Sequence, residues 1–553
     1  MALTRGTPHV QASAILGFLQ QVSETLGERD IMRNSVTGQG RIQRRDFVTG
    51  IMLGTLGKSL AGVISPTLTE ARVGDQEAGT RAAEAPGSKL VPWMYIHNPI
   101  EHWMADYQRT FAAWEDGGVR GIVVGPLRFF PGMPQYEMSY RYQYADAKFP
   151  TFAPDPKVYA AFGVAPPPQE PRDPKKEKMF QAMLDNAASR GWEILFFGSG
   201  QSGGSRPVAE DPFNAVGFAA GVQDTMNAFP QAHGIVMDGA LGERSYELAF
   251  HHGGEAFEIT DSEKSRLNSL GVDGGRMERG AAHLLDQFHH LTPSRVKYYS
   301  PGGLLGALAL FDFNEDALYW FRTRQEISLR NMAAIRQQFD RMNRKVKLGG
   351  ITRISTFSLL TTQDYSRMNP YFDYIFPKYY FWNRGFDGMY GTIARWVEKI
   401  SEWNPQLSER DSFAVVKAWF GLELPGIHSV ADMDLVGFPE EFFSKVVYSE
   451  TRRALEGIGD DSKVIGWESS GRHPHAGDPM SSGDLYRLLV AAQRAGLKRF
   501  IHHPDFDLGA PEWEVISGLC GKKWKEDPQG DYWPSDTPMP DTWNGGRKPK
   551  PPG

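Results

Sequence analysis

EILFFGSGQSGGS, residues 193–205, decides between two folds. Its first half is apolar and aromatic enough for a buried parallel strand. Gly198, Gly200 and Gly203 then follow in the spacing G-x-G-x-x-G. In a dinucleotide-binding domain that triplet opens a helix at once, so that the helix N-terminus meets the pyrophosphate. An acidic residue at the end of the next strand then takes the ribose. Here the chain continues as GSRPVAEDPFNA, and Pro207 and Pro212 postpone any helix. Asp224 falls within a helical pattern, and Asp238 lies too far along to serve as the ribose acid. The stretch therefore reads as a Gly/Ser-rich loop at the rim of a barrel, with Gln201 and the backbone amides placed to touch a substrate. An exported oxidoreductase using a nicotinamide or flavin cofactor is the alternative that the triplet keeps open.

Outward from this strand, short apolar runs alternate with amphipathic ones, the pattern of a parallel α/β fold. The candidate strands are 91–98, 121–125, 193–198, 234–239, 346–353, 374–382, 413–421, 463–470 and 498–504. Helical patterns such as MADYQRTFAAWEDGG, KMFQAMLDNAASRG, GTIARWVEKISEW and GDLYRLLVAAQRAG lie between them, several ending in glycine. Together they predict a (β/α)8 TIM barrel over residues 86–520, with a surplus strand expected at one of the two ends. Long insertions occupy 126–178, rich in Pro, Tyr and Phe, and 239–345. Residues 521–553 are low in aliphatics and read as an extended Pro/Gly-rich tail.

The chain has 553 residues, 41% of them hydrophobic and 23% charged, as expected of a globular protein with a large core. A net charge of −6 without a basic stripe speaks against a nucleic-acid partner. One cysteine, Cys520, excludes an intramolecular disulfide framework and a multi-thiolate metal site. Near the start, Arg44, Arg45 and Phe47 precede a Gly-rich, mildly apolar run, as in a twin-arginine export signal. Met32 is a possible start, and cleavage after Ala85 would leave residues 1–85 as signal and linker. The twin-arginine export machinery is then a partner, and the expected location is periplasmic or secreted. Lys58 interrupts the run, so no stable membrane span is expected.

In such barrels chemistry sits at the C-terminal ends of the strands. Those ends deliver Asp238 with Glu243 following, and Glu468 beside Trp467. They also deliver Lys378, Tyr380 and Trp382, Lys417 and Trp419, His97 and Asn98, and His502. Separated carboxylates at one mouth are what glycosidic hydrolysis needs: one protonates the leaving oxygen while the other attacks or activates water. Trp467 would raise the carboxyl of Glu468, as suits a general acid. Among tryptophan's uses, packing outweighs sugar stacking. Asn314-Glu315 in FDFNED reads as a helix cap rather than a glycosidase acid/base pair. Three pairs of histidines are adjacent, His251-His252, His289-His290 and His502-His503, and neighbouring side chains diverge; HPHAGD (473–478) reads as a surface loop, and no H-x-x-x-H or H-E-x-x-H occurs, so neither metal nor cofactor is expected.

Over residues 90–515 the chain resembles secreted TIM-barrel glycoside-hydrolase-like proteins of polysaccharide-degrading bacteria. The resemblance rests on YIHNP, GGVRGIVVG, GIVMDGALGERSYE, FDYIFPKYYFWNRGFDG, VIGWESSG and RFIHHPDF. It implies an exported enzyme acting on a polysaccharide or oligosaccharide. Asp238, Glu243 and Glu468 would be its catalytic carboxylates, and Lys378 and Tyr380 would contact the substrate or transition state. The chain departs from the pattern in lacking Asn-Glu-Pro at the acid/base strand. A glycan-binding barrel without catalysis shares every one of these features.

Overall fold

The computed structural model describes residues 89–96, 100–125, 127, 151–167, 169, 171–199, 215–238, 257–381, 388–435, 437–469, 482–503 and 510–525. All belong to the compact unit Glu84–Gly553. Its strands are β1 (Val91–Ile96), β2 (Gly121–Val124), β3 (Glu193–Ser199) and β4 (Gly234–Asp238). They continue as β5 (Lys347–Thr352), β6 (Tyr374–Pro377), β7 (Gly466–Ser469) and β8 (Arg499–His503). They pair in the order β6-β5-β4-β3-β2-β1-β8-β7, every pair parallel. Single parallel bridges, Ile375 to Val464 and Lys378 to Trp467, join the two ends of that ladder. The sheet thus closes into a (β/α)8 barrel.

A parallel sheet covered on both faces needs apolar residues in both phases of each strand, and the register shows which phase goes where. Trp93 and Tyr95 of β1, Leu195 of β3, Val236 of β4, Phe376 of β6, Trp467 of β7 and Ile501 of β8 form one cluster inside the barrel. Met94, Ile96, Ile194, Ile235, Ile375, Val464 and Phe500, in the alternate phase, join a second cluster with the helices. Two glycines make room for the inner rings. A Cβ on Gly121 would stand 2.5 Å from the Trp93 ring, and one on Gly349 2.7 Å from that of Phe376.

Helices Ile100–Asp116, Pro174–Ser189, Ala215–Ala228 and Glu315–Phe339 follow β1 to β4, and Ser482–Arg494 and Ala510–Cys520 follow β7 and β8. After β5 come only the one-turn pieces Ser355–Ser358 and Tyr365–Met368, whereas β6 is followed by several helices, beginning with Met389–Trp403 and Glu409–Phe420. The surplus strand is neither terminal one but 413–421, which lies within the helix Glu409–Phe420. Its burial falls at Ser412, Val415, Val416 and Phe420, a helical spacing. Ser408 and Asp411 close a capping box before it, and Gly421 ends it in the left-handed region at φ 67. Asn314 is a cap, its side chain accepting from the Ala317 N–H at the start of Glu315–Phe339. Within that helix Arg324 is buried, stacked 4.6 Å from the Trp320 ring centroid. Cys520 is buried at the end of the last helix, and burial pushes its thiol up to about 12.

Residues 1–88, with the expected export signal, and 526–553, most of the expected tail, lie outside the described residues. Among the described residues no helix is long and apolar enough to cross a membrane.

Candidate functional site

Strand alternation decides which candidates share the mouth of the barrel. On β4, Asp238 is in phase with Val236, which points inward. Just beyond β6, Lys378 and Tyr380 continue the inward phase of Tyr374 and Phe376. The two ends meet: Lys378 Nζ lies 3.0 Å from Asp238 Oδ1, spanning the intervening β5. The Lys378 backbone is fixed from both sides, its N–H donating to Thr352 O at 2.9 Å while the next N–H donates to Trp467 O at 2.6 Å. The lysine side chain is 10% exposed and the aspartate 36%, so the carboxylate is the member that solvent or a ligand can reach.

Beneath this pair lies an aromatic floor. The Trp467 ring meets Tyr95 edge-on at 5.0 Å, Phe376 at 5.8 Å and Phe197 at 6.1 Å between centroids. Tyr380 belongs to the same cluster, and Phe197 is its partly exposed member on β3. A buried arginine that the sequence reading passed over, Arg353, follows β5 directly. Its Nη2 donates to Thr392 Oγ1 at 2.8 Å, and its guanidinium lies 5.1 Å from the Phe357 ring centroid. The signal for it was available, as the last residue of the expected strand 346–353.

Glu468 and His502 are placed differently from expectation. They pair across β7 and β8 in the phase of Val464 and Phe500, which faces the helices. His502 Nδ1–H donates to Glu468 Oε1, and both residues are fully buried. Glu468 Oε2 and His502 Nε2 have no hydrogen-bond partner among the described residues. Glu468 therefore does not converge with Asp238: the tryptophan beside it takes the inward direction, and the alternation sends the acid the other way. His502 is likewise withdrawn from a substrate in the mouth.

Lys417 and Trp419 also leave the site, because 413–421 is helical. Lys417 pairs with the exposed Glu423 at 2.8 Å on the outside of the barrel. Trp419 packs among aromatic rings of the helical layer, 5.1 Å from Phe288, 5.0 Å from Phe311 and 6.3 Å from Trp396. Most described tryptophans follow it into packing; Trp93, Trp114, Trp192, Trp320, Trp396, Trp467 and Trp513 are all buried. Glu243, His97, Asn98, Gln201 and Trp382 lie outside the described residues. Among the described residues no group of three or more His, Cys, Asp or Glu side chains could hold a metal ion.

No protein-family model and no curated protein matches the chain. Solved structures do. The PgaB (BpsB) glycoside hydrolase domain from Bordetella bronchiseptica is similar over 78% of this chain and 99% of its own, at 10% identity and a TM-score of 0.37. A chitinase from Bacteroides thetaiotaomicron is similar over 79% and 96%, at 7% identity and a TM-score of 0.35. The catalytic domain of a β-amylase from Paenibacillus polymyxa is similar over 80% and 100%, at 9% and 0.37. The neighbours named here are glycoside hydrolases, while the barrel assignment for this chain rests on its own strand register.

Proposed function

We propose that this chain hydrolyses a glycan at the C-terminal mouth of its barrel, with Asp238 as the central carboxylate. The observation that supports this reading is the Lys378–Asp238 ion pair standing on the Tyr95, Phe197 and Trp467 floor. Tyr95 and Trp467 are buried, so Phe197, the partly exposed ring of the floor, is the apolar face offered to a sugar, and an oxocarbenium-like transition state is stabilised by a carboxylate beside it. Lys378 orients that carboxylate, and its stiff backbone anchoring lets it do so in one geometry. With Glu468 directed at the helices, Glu243, five positions after Asp238 in the sequence, is the second carboxylate of this proposal. We read Glu468 and His502 as supports of the β7 and β8 ends. Export through a twin-arginine signal in residues 1–85, and work in the periplasm or outside the cell, complete the reading.

The test is a polysaccharide panel assayed for released reducing ends with Asp238→Asn, Glu243→Gln and Lys378→Met. Either carboxylate variant should lose about 10²–10⁴-fold in kcat/KM while keeping its fold. Full turnover by Asp238→Asn sinks the proposal. Saturable glycan binding without product release across the panel would instead establish a binding barrel.

A further inference from the structure

The N-terminal opening of the barrel, opposite the mouth, holds a cavity of about 580 Å³. It is walled by the first residues of β1, β5, β6 and β8 and by the segment before β7. Five cations reach it: Lys89, Lys347, Lys463, Lys498 and Arg499.

Two of the five are neutralised. Lys347 Nζ contacts Glu193 Oε1 at 2.6 Å and the Tyr374 hydroxyl at 2.7 Å, and Lys498 pairs with Asp461 at 2.8 Å. The acid in the wall, Asp373, is taken by Arg336 at 2.8 Å and by the Leu348 N–H at 2.9 Å. Three cations remain. Lys89 donates to Gly521 O at 3.2 Å, and Lys463 donates to Asn369 O at 2.9 Å and Phe372 O at 3.0 Å. Carbonyl acceptors orient an ammonium without cancelling its charge.

Arg499 lies 4.9 Å from the Tyr374 ring centroid, and its guanidinium makes no hydrogen bond among the described residues. One more acid is close. The Ser462 hydroxyl holds the Asp460 carboxyl below its usual range, and Lys463 and Arg499 add to that effect. Three unneutralised cations facing one such carboxylate leave the cavity net positive.

We propose that this cavity is a binding site for an oxyanion, a phosphate or sulfate group. A guanidinium laid on an aromatic ring keeps its planar fork of donors in a fixed direction, the geometry that takes two oxygens of a tetrahedral anion. Lys463 and Lys89 add point charges around it. The site is open to solvent on its outer side, so the group can be borne by a larger molecule such as a sugar ester. The site is separate from the mouth: Tyr374 and Lys378 are about 13 Å apart along β6, and the inner cluster of Phe376, Trp93 and Ile501 fills the space between them.

Calorimetric titration of the full chain at fixed ionic strength tests this, using inorganic phosphate, inorganic sulfate and glucose 6-phosphate, with chloride and glucose as controls. Phosphate or sulfate should bind saturably and raise the melting temperature, chloride and glucose should not. Arg499→Met should weaken binding by about tenfold or more, and Lys463→Met by a smaller factor. Arg499→Lys, which keeps the charge and loses the fork, should fall between wild type and Arg499→Met and checks that the fold is intact. Glucose 6-phosphate binding at least tenfold tighter than inorganic phosphate identifies an ester as the ligand, and equal affinities identify the free anion. Absence of saturable binding by every oxyanion overturns the proposal, as does wild-type affinity in both methionine variants. Neither result bears on glycan hydrolysis, because the two sites share no residue.

Discussion

Consider Glu468→Ala. In the native barrel the carboxylate accepts from His502 Nδ1–H, with both side chains sealed between sheet and helices. Alanine leaves the ring without an acceptor at a site no water reaches, and it leaves a cavity where the side chain stood. Stranding a buried donor costs about 1–3 kcal/mol, and breaking a buried pair by removing one partner about 3–5 if the histidine is charged. A total near 3 kcal/mol follows, and with an unfolding entropy of about 2.1 cal/mol/K per residue over the barrel residues 86–520 the melting temperature falls by about 3 °C. Glu468→Gln keeps an acceptor oxygen, so its loss should be about 1 kcal/mol. The assay pairs thermal unfolding by circular dichroism with glycan turnover per folded molecule. We expect Glu468→Gln to keep turnover within a few fold of wild type, while Asp238→Asn loses it. The reasoning is refuted if Glu468→Gln melts like the wild type and yet loses turnover about 10³-fold, since the acid would then act in the mouth rather than behind it.

Stability should also depend on Asp224. Burial lifts its carboxyl to about 6, against the Asp155 N–H that donates to it. The unfolded chain releases this proton first, near 3.8, so stability should fall as pH rises from about 4 to about 6, by about 1–2 kcal/mol, and then level off. In Asp224→Asn that slope should vanish from urea unfolding measured across this range, and an unchanged slope would contradict the assignment. Trp419→Ala should lower stability by about 3 kcal/mol through its ring neighbours while leaving glycan affinity unchanged. Lys417→Met, in an exposed pair, should change neither quantity; weaker glycan binding by either variant would return that helix to the site.

Much of the fold was legible because short apolar runs between amphipathic ones have one compact solution, a parallel sheet wrapped in helices. The first half of 193–205 is the third strand of a closed ring, as the barrel reading expects, while Gly200 and Gly203 lie outside the described residues. The run 413–421 misled because a short apolar stretch suits strand and helix alike. The deciding marks were local and readable: Ser408 and Asp411 before the run and Gly421 after it.

What the sequence by itself determined is the succession of strands, the Asn314 cap and the residues that gather at strand ends. The direction each of those residues takes was left to the tertiary structure. In strands apolar on both faces no pattern in the chain distinguishes lumen from helix layer, and a shift of one residue exchanges them. Closure of the ring fixed that phase. It turned Asp238 and Lys378 inward to meet across β5, and the same alternation carried Glu468 and His502 to the other side of the sheet.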